Sequence, residues 1–170
     1  MTVFIALLRA VNLGGTSKLP MTDLKAMCEA AGHKGVQTYI ASGNVVFESG
    51  KSEAVVKADL EKRLADYAGK AVGVVVRTGA EMAAVRDANP FPDSAPNHTV
   101  AIFLDAGPPA GAADQAVGRA EEDIALGARE IYVRYGPGMG TSKLRIPAAK
   151  AGTARNMNTV AKLAALAAAR

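Results

Sequence analysis

Tryptophan is missing from this chain, cysteine occurs once, and aromatic residues reach only 5% of its 170 positions. Without large aromatics the core has to be assembled from Ala, Val, Leu and Ile, within a hydrophobic content of 49%. The single cysteine, Cys28, excludes an intrachain disulfide and fits a reducing compartment. Long apolar runs are also missing. The stretch from Val3 to Leu8 stops at Arg9, too short for a signal peptide or a bilayer span. The stretch from Val160 to Ala169 contains Lys162 and is about half the length a span needs. These absences argue against a membrane partner and lead us to expect a soluble cytoplasmic protein. Charged residues at 21% beside the apolar content mark a globular chain rather than a disordered one, long enough for one ordinary domain or two small ones.

The most informative absence is one of charge. All 16 acidic residues lie at or before Glu130, whereas Arg134, Lys143, Arg145, Lys150, Arg155, Lys162 and Arg170 follow it. The net charge of +4 therefore conceals a one-signed tail. That tail contains a glycine-rich stretch, Gly136-Pro137-Gly138-Met139-Gly140-Thr141-Ser142-Lys143, and a polar knot, Thr153-Ala154-Arg155-Asn156-Met157-Asn158-Thr159. Fixed positive charge beside donor-rich backbone is how proteins hold anions.

What is present reads first as alternating strands and helices. Residues 3–8 predict a buried strand. Pro20 suits the first turn of a helix whose Leu24, Met27, Cys28 and Ala31 share one face, with Gly32 as its stop. Residues 35–40 and 44–48, separated by Ala41-Ser42-Gly43, predict an antiparallel hairpin. Ser52 starts a second helix that buries Val56, Leu60, Leu64 and Tyr67 and ends at Gly69; residues 71–77 form a β-branched strand. This β-α-β-β-α-β order is that of a ferredoxin-like plait. Further on, the pattern predicts a helix over 80–88, breaks at Pro90, Pro92 and Pro96, a strand over 99–104, a helix over 112–122 and a hairpin pairing 124–128 with 131–135. A basic tail with helical pieces follows. The expectation is an α+β chain of two ferredoxin-like plaits packed together, residues 1–79 and 80–170, the second degraded and lacking its last strand.

Several strings carry a resemblance: Leu7-Leu8-Arg9-Ala10-Val11-Asn12-Leu13-Gly14-Gly15, Thr38-Tyr39-Ile40-Ala41-Ser42-Gly43-Asn44-Val45-Val46-Phe47, Ser142-Lys143-Leu144 and Ala154-Arg155-Asn156-Met157-Asn158-Thr159-Val160. Together they resemble the bacterial family known as domain of unknown function 1697, from the first strand to the last helix. The resemblance implies two ferredoxin-like plaits and brings no established activity with it. The family pattern near the C-terminus is Arg-Asn-Trp-Asn-Thr, and Met157 stands here in place of the tryptophan. If that ring stacks a ligand in relatives, a thioether would do so poorly.

Each candidate site has a plain structural alternative. Arg9, Asn12 and the glycines that follow could grip a carboxylate or phosphate, or could form an ordinary strand-to-helix turn. Ser42 and Asn44 could present a hydroxyl and an amide, although turn chemistry alone favours Ser, Gly and Asn there, and no histidine nearby marks Ser42 as a nucleophile. Residues 136–143 fail the Walker pattern, because Thr141 and Ser142 precede Lys143, and they fail the dinucleotide fingerprint by spacing. What survives is Ser142 as a cap for a helix bearing Lys143, or else a glycine loop after a strand. Around Arg155, one asparagine of Asn156 and Asn158 is needed as a helix cap, and the rest exceeds capping needs. His33, His98 and Cys28 do not form a metal set, Glu121-Glu122-Asp123 reads as a solvated helix end, and no cofactor is expected.

The sequence thus favours a binding module for an anionic ligand: a nucleotide, a phosphorylated metabolite or a nucleic-acid backbone. The site would combine Arg9 and Asn12 with Lys143, Arg155, Asn156 and Asn158, and Ser42 and Asn44 would complete the candidate set. One alternative is an enzyme acting on such a ligand, for which no general base is identifiable. Another is an interaction module that docks an acidic partner through the basic tail.

Overall fold

The computed structural model describes residues 1–9, 19–40 and 43–170. It is a mixed α/β chain that divides into two compact units, residues 1–82 with 163–170 and residues 83–162. In the first, β1 (Thr2–Leu8), α1 (Met21–Ala30), β2 (Lys34–Tyr39), β3 (Asn44–Ser49), α2 (Glu53–Ala68) and β4 (Val74–Thr78) follow one another. The expected β-α-β-β-α-β order holds. The strands line up as β2-β3-β1-β4, each pair antiparallel, with Phe4 opposite Phe47 and Thr78.

Two periodicities meet in this core. Phe4, Ala6 and Leu8 alternate along β1, and with Val45, Phe47, Val74 and Val76 they join Leu24 and Cys28 of α1 and Val56, Leu60 and Leu64 of α2 in one buried cluster. Strand residues two apart share a face, as do helix residues four apart, so both patterns deliver side chains to one layer. Each fully buried Leu there contributes roughly 2 kcal/mol. Helix α2 is bounded by local chemistry: the Ser52 hydroxyl accepts the Val55 N–H at 3.3 Å, and Gly69 closes the helix in a left-handed conformation, φ 73°. Tyr67 departs from the expected buried face and is 50% exposed. Its hydroxyl instead donates to Asp23 at 2.7 Å.

Helix α3 (Gly79–Asp87) starts with a reciprocal cap: Glu81 N–H donates to the Thr78 hydroxyl at 3.1 Å, and Thr78 N–H to the Glu81 carboxylate at 2.8 Å. Then come β5 (Thr99–Phe103), β6 (Asp123–Leu126), β7 (Glu130–Arg134), β8 (Thr153–Asn156) and α4 (Met157–Ala168). The second sheet is also antiparallel and runs β6-β7-β5-β8, so its strands repeat the second-third-first-fourth order of the first sheet. Val100, Ile102, Ile131 and Val133 anchor its own core with Ala112 and Ile146.

Two expectations fail in this half. The helix over 112–122 does not form; those residues are turns, and Val117 instead exchanges two backbone hydrogen bonds of 2.8 Å with Arg145. The last strand, expected to be missing, is present as β8, whose polar sequence pairs with β5 from Thr153 opposite Phe103 to Asn156 opposite Val100. Neither connection that carries a helix in the first sheet carries an α-helix here: the link from β5 to β6 is made of turns, and the link from β7 to β8 holds short 3-10 turns at Gly136–Thr141 and Pro147–Ala149. Among the described residues no helix is long and apolar enough to cross a membrane.

Candidate functional site

Antiparallel pairing decides which candidates meet within each sheet. In the first, β1 ends where β3 begins: Leu7 lies opposite Asn44, and Leu8 N–H donates to Gly43 O at 2.8 Å. The backbone N–H of Arg9 continues the ladder to Gly73 O at 2.9 Å. Arg9 and Asn44 therefore occupy one end of this sheet. Arg9 is exposed, whereas Asn44 is fully buried and its amide donates to Tyr39 O at 3.0 Å across the hairpin neck. A structural task accounts for that contact. Asn12 and Ser42 lie outside the described residues.

In the second sheet the exits of β7 and β8 flank the entry of β5, since Thr99 faces Arg134 and Val100 faces Asn156. Glycine-rich turn and polar knot thus leave the same sheet end, and the Pro96–His98 turn touches both. Asn156 is the cap of α4, its Oδ1 accepting the Thr159 N–H at 3.0 Å. Asn158 is exposed in the first turn. Arg155 is 8% exposed and donates to the Thr153 hydroxyl at 2.7 Å and to Ala154 O at 2.9 Å. Burial pulls its pKa down to about 10. Met157 is buried, so it fills the interior and offers no face to a ligand ring.

Lys143 has different company. No helix contains it, and Ser142 starts none: it closes the short 3-10 turn before it, is extended, accepts the Leu144 N–H at 3.2 Å and donates its hydroxyl proton to Glu122. Glu122, expected on a solvated helix end, is buried, and its carboxylate also accepts the Ala120 N–H at 2.6 Å. The Ser142 hydroxyl, followed by that N–H, holds its pKa below the usual carboxylate range. Tyr135 is pushed upward by burial and then by the charge of Glu122. Lys143, Glu121, Glu122, Tyr135 and Ser142 all line one pocket, which Arg155, Asn156 and Asn158 do not enter. The partnership of Glu122 with Ser142 spans 20 residues and leaves no local signal; the one hint is an acidic triplet upstream of an acid-free, glycine-rich stretch.

The basic tail is not uniformly available. Arg134 pairs with Asp123 at 2.6 Å, and Arg170 with Glu48 at 3.5 Å. Lys143, Arg145 and Lys162 are exposed and make no ion pair among the described residues. Nor do the described residues hold a His, Cys, Asp and Glu grouping suited to a metal ion.

A family model described as "Protein of unknown function (DUF1697)" matches residues 1–132, a span that stops short of the glycine-rich turn and the Arg155 knot. No curated protein matches the chain. Among solved structures, the conserved bacterial protein SP0830 from Streptococcus pneumoniae is similar, at 22% identity and TM-score 0.81 over 98% of each chain. At that identity the likeness speaks for the fold alone.

Proposed function

Because this chain belongs to the DUF1697 family, whose function is unknown, its role has to be argued from its own residues, and we propose that it binds a small anionic ligand where β8 runs into α4. The observation that carries this reading is Arg155: a buried guanidinium sits directly before the Asn156 cap of a helix N-terminus. Buried charge of this kind is costly and clusters at functional sites. The first turn of α4 adds outward N–H groups and the positive end of the helix dipole, and the exposed Asn158 amide supplies a donor. No acidic residue follows Glu130 to oppose an anion from this part of the chain. We leave Lys143 out of this site, because Glu121 and Glu122 stand beside it. A nucleotide or a phosphorylated metabolite suits the arrangement. The shared strand order also supports reading both sheets as ferredoxin-like plaits, the second stripped of its connecting helices.

Substituting Asn158→Asp tests the proposal. The new carboxylate sits in the first helical turn, where the dipole favours it, so stability is kept or raised by about 0.5 kcal/mol. The same charge repels a bound anion, and affinity for phosphate, pyrophosphate or nucleotides drops at least about tenfold. Calorimetric titration of wild type and variant reads this directly. Wild-type protein that binds none of these probes, or a variant that binds them unchanged, removes the proposal.

A further inference from the structure

A second feature of this half is independent of α4. Residues 118–122 and 135–143 line a pocket of about 330 Å³, within the size range of small-molecule sites. Its two walls are tied before any ligand arrives. Val117 and Arg145 exchange backbone hydrogen bonds of 2.8 Å, and Ser142 donates to Glu122, whose carboxylate is fixed within its own wall by the Ala120 N–H at 2.6 Å. Gly118 lies so close to the other wall that a Cβ there would come within 2.2 Å of Lys143 O. Such ties remove much of the ordering cost that binding otherwise carries.

The pocket contains charges of both signs that do not neutralise one another. Lys143 and Glu121 are exposed on its lining, and neither makes an ion pair among the described residues. The Glu122 carboxylate is committed to Ser142 and Ala120. The Tyr135 hydroxyl, also on the lining, has no hydrogen-bond partner among the described residues. A lone phosphate would face two carboxylates, and a simple amine would face Lys143. A neutral sugar would use neither free charge. We propose that this pocket binds a small zwitterion, an amino acid or a close analogue, with its ammonium group toward Glu121 and its acidic group toward Lys143. The Tyr135 hydroxyl serves as a further polar contact.

Calorimetric titration with the free amino acids tests this, each strong binder being compared with its N-acetyl derivative and its decarboxylated amine. At least one amino acid binds wild-type protein, and either modification weakens it about tenfold, as expected for one lost charge contact. Lys143→Met weakens the amino acid by a similar factor but spares the decarboxylated amine. Glu121→Gln weakens the amino acid but spares the N-acetyl derivative. Both side chains are exposed, and urea unfolding midpoints confirm that the variants stay folded. Asn158→Asp leaves amino-acid binding unchanged, which separates this pocket from the α4 site. Three results overturn the proposal: no amino acid binds, the modified compounds bind equally well, or neither pocket substitution alters affinity.

Discussion

His33 is 4% exposed and stacks on Phe47, ring centroids 4.2 Å apart and planes 14° from parallel. Neither ring nitrogen has a hydrogen-bond partner among the described residues. Burial first, and then the charge of Lys51, lowers its pKa below the ordinary value of 6.5; Asp59 opposes the shift and Arg63 adds to it. The imidazole is therefore neutral in the folded state at a pH where an unfolded chain already binds a proton. Its effect on stability is nil above about pH 6.5 and becomes a loss as pH falls from there toward the folded-state pKa. Urea midpoints of the wild type decline over this window, and His33→Leu flattens that part of the decline; an unchanged profile in the variant would show that other groups set it. Arg155 is legible from sequence as a residue of interest, yet its burial is not, because an arginine in a polar string reads as solvated. Glu122 is the reverse case: it looks like surface and is buried by Ser142, 20 positions away.

At the level of elements, legibility follows the range of the interactions. Helix α2 can be read from Ser52 to Gly69 because its cap, apolar stripe and stop all lie within the segment. The hairpin of β2 and β3 is equally local, its strands joined by a short glycine-containing gap. Residues 112–122 contain enough alanine to suggest a helix, but Val117 spends its backbone groups on Arg145 and Gly118 adopts φ 70° against Lys143. Tertiary hydrogen bonds override a weak intrinsic preference. Gly118→Ala combines a disfavoured backbone conformation with a clash against carbonyl oxygen, and should destabilise the protein by about 2 kcal/mol or more in chemical unfolding. A loss below about 0.5 kcal/mol would show that the two walls separate easily. Strand β8 shows the same limit from the other side, since Thr-Ala-Arg-Asn has no β pattern and becomes a strand only by pairing with β5.

For the whole molecule, net charge is a weaker guide to polyanion binding than the tail suggests. Of its seven basic residues Arg134 and Arg170 are paired, Arg155 is buried, Lys150 already has an interaction partner, and Lys143, Arg145 and Lys162 are left exposed without an ion pair among the described residues. Replacing these three with alanine should change the log–log salt slope of duplex DNA binding by less than about 3, at about 0.9 per phosphate contact. A larger change would mean that the tail docks nucleic acid as one continuous surface. From the sequence alone follow the strand and helix succession of the first unit, a helix cap at one of Asn156 and Asn158, the charge asymmetry and the family. Those depend on periodicity, turn chemistry and counting, which operate within a few residues. Long-range packing is what replaces a helix by turns, completes a sheet with a polar string, and gives Lys143 a pocket shared with carboxylates and not with Arg155. Each of those outcomes rests on backbone or side-chain partners far apart in sequence, where local preference is too weak to choose.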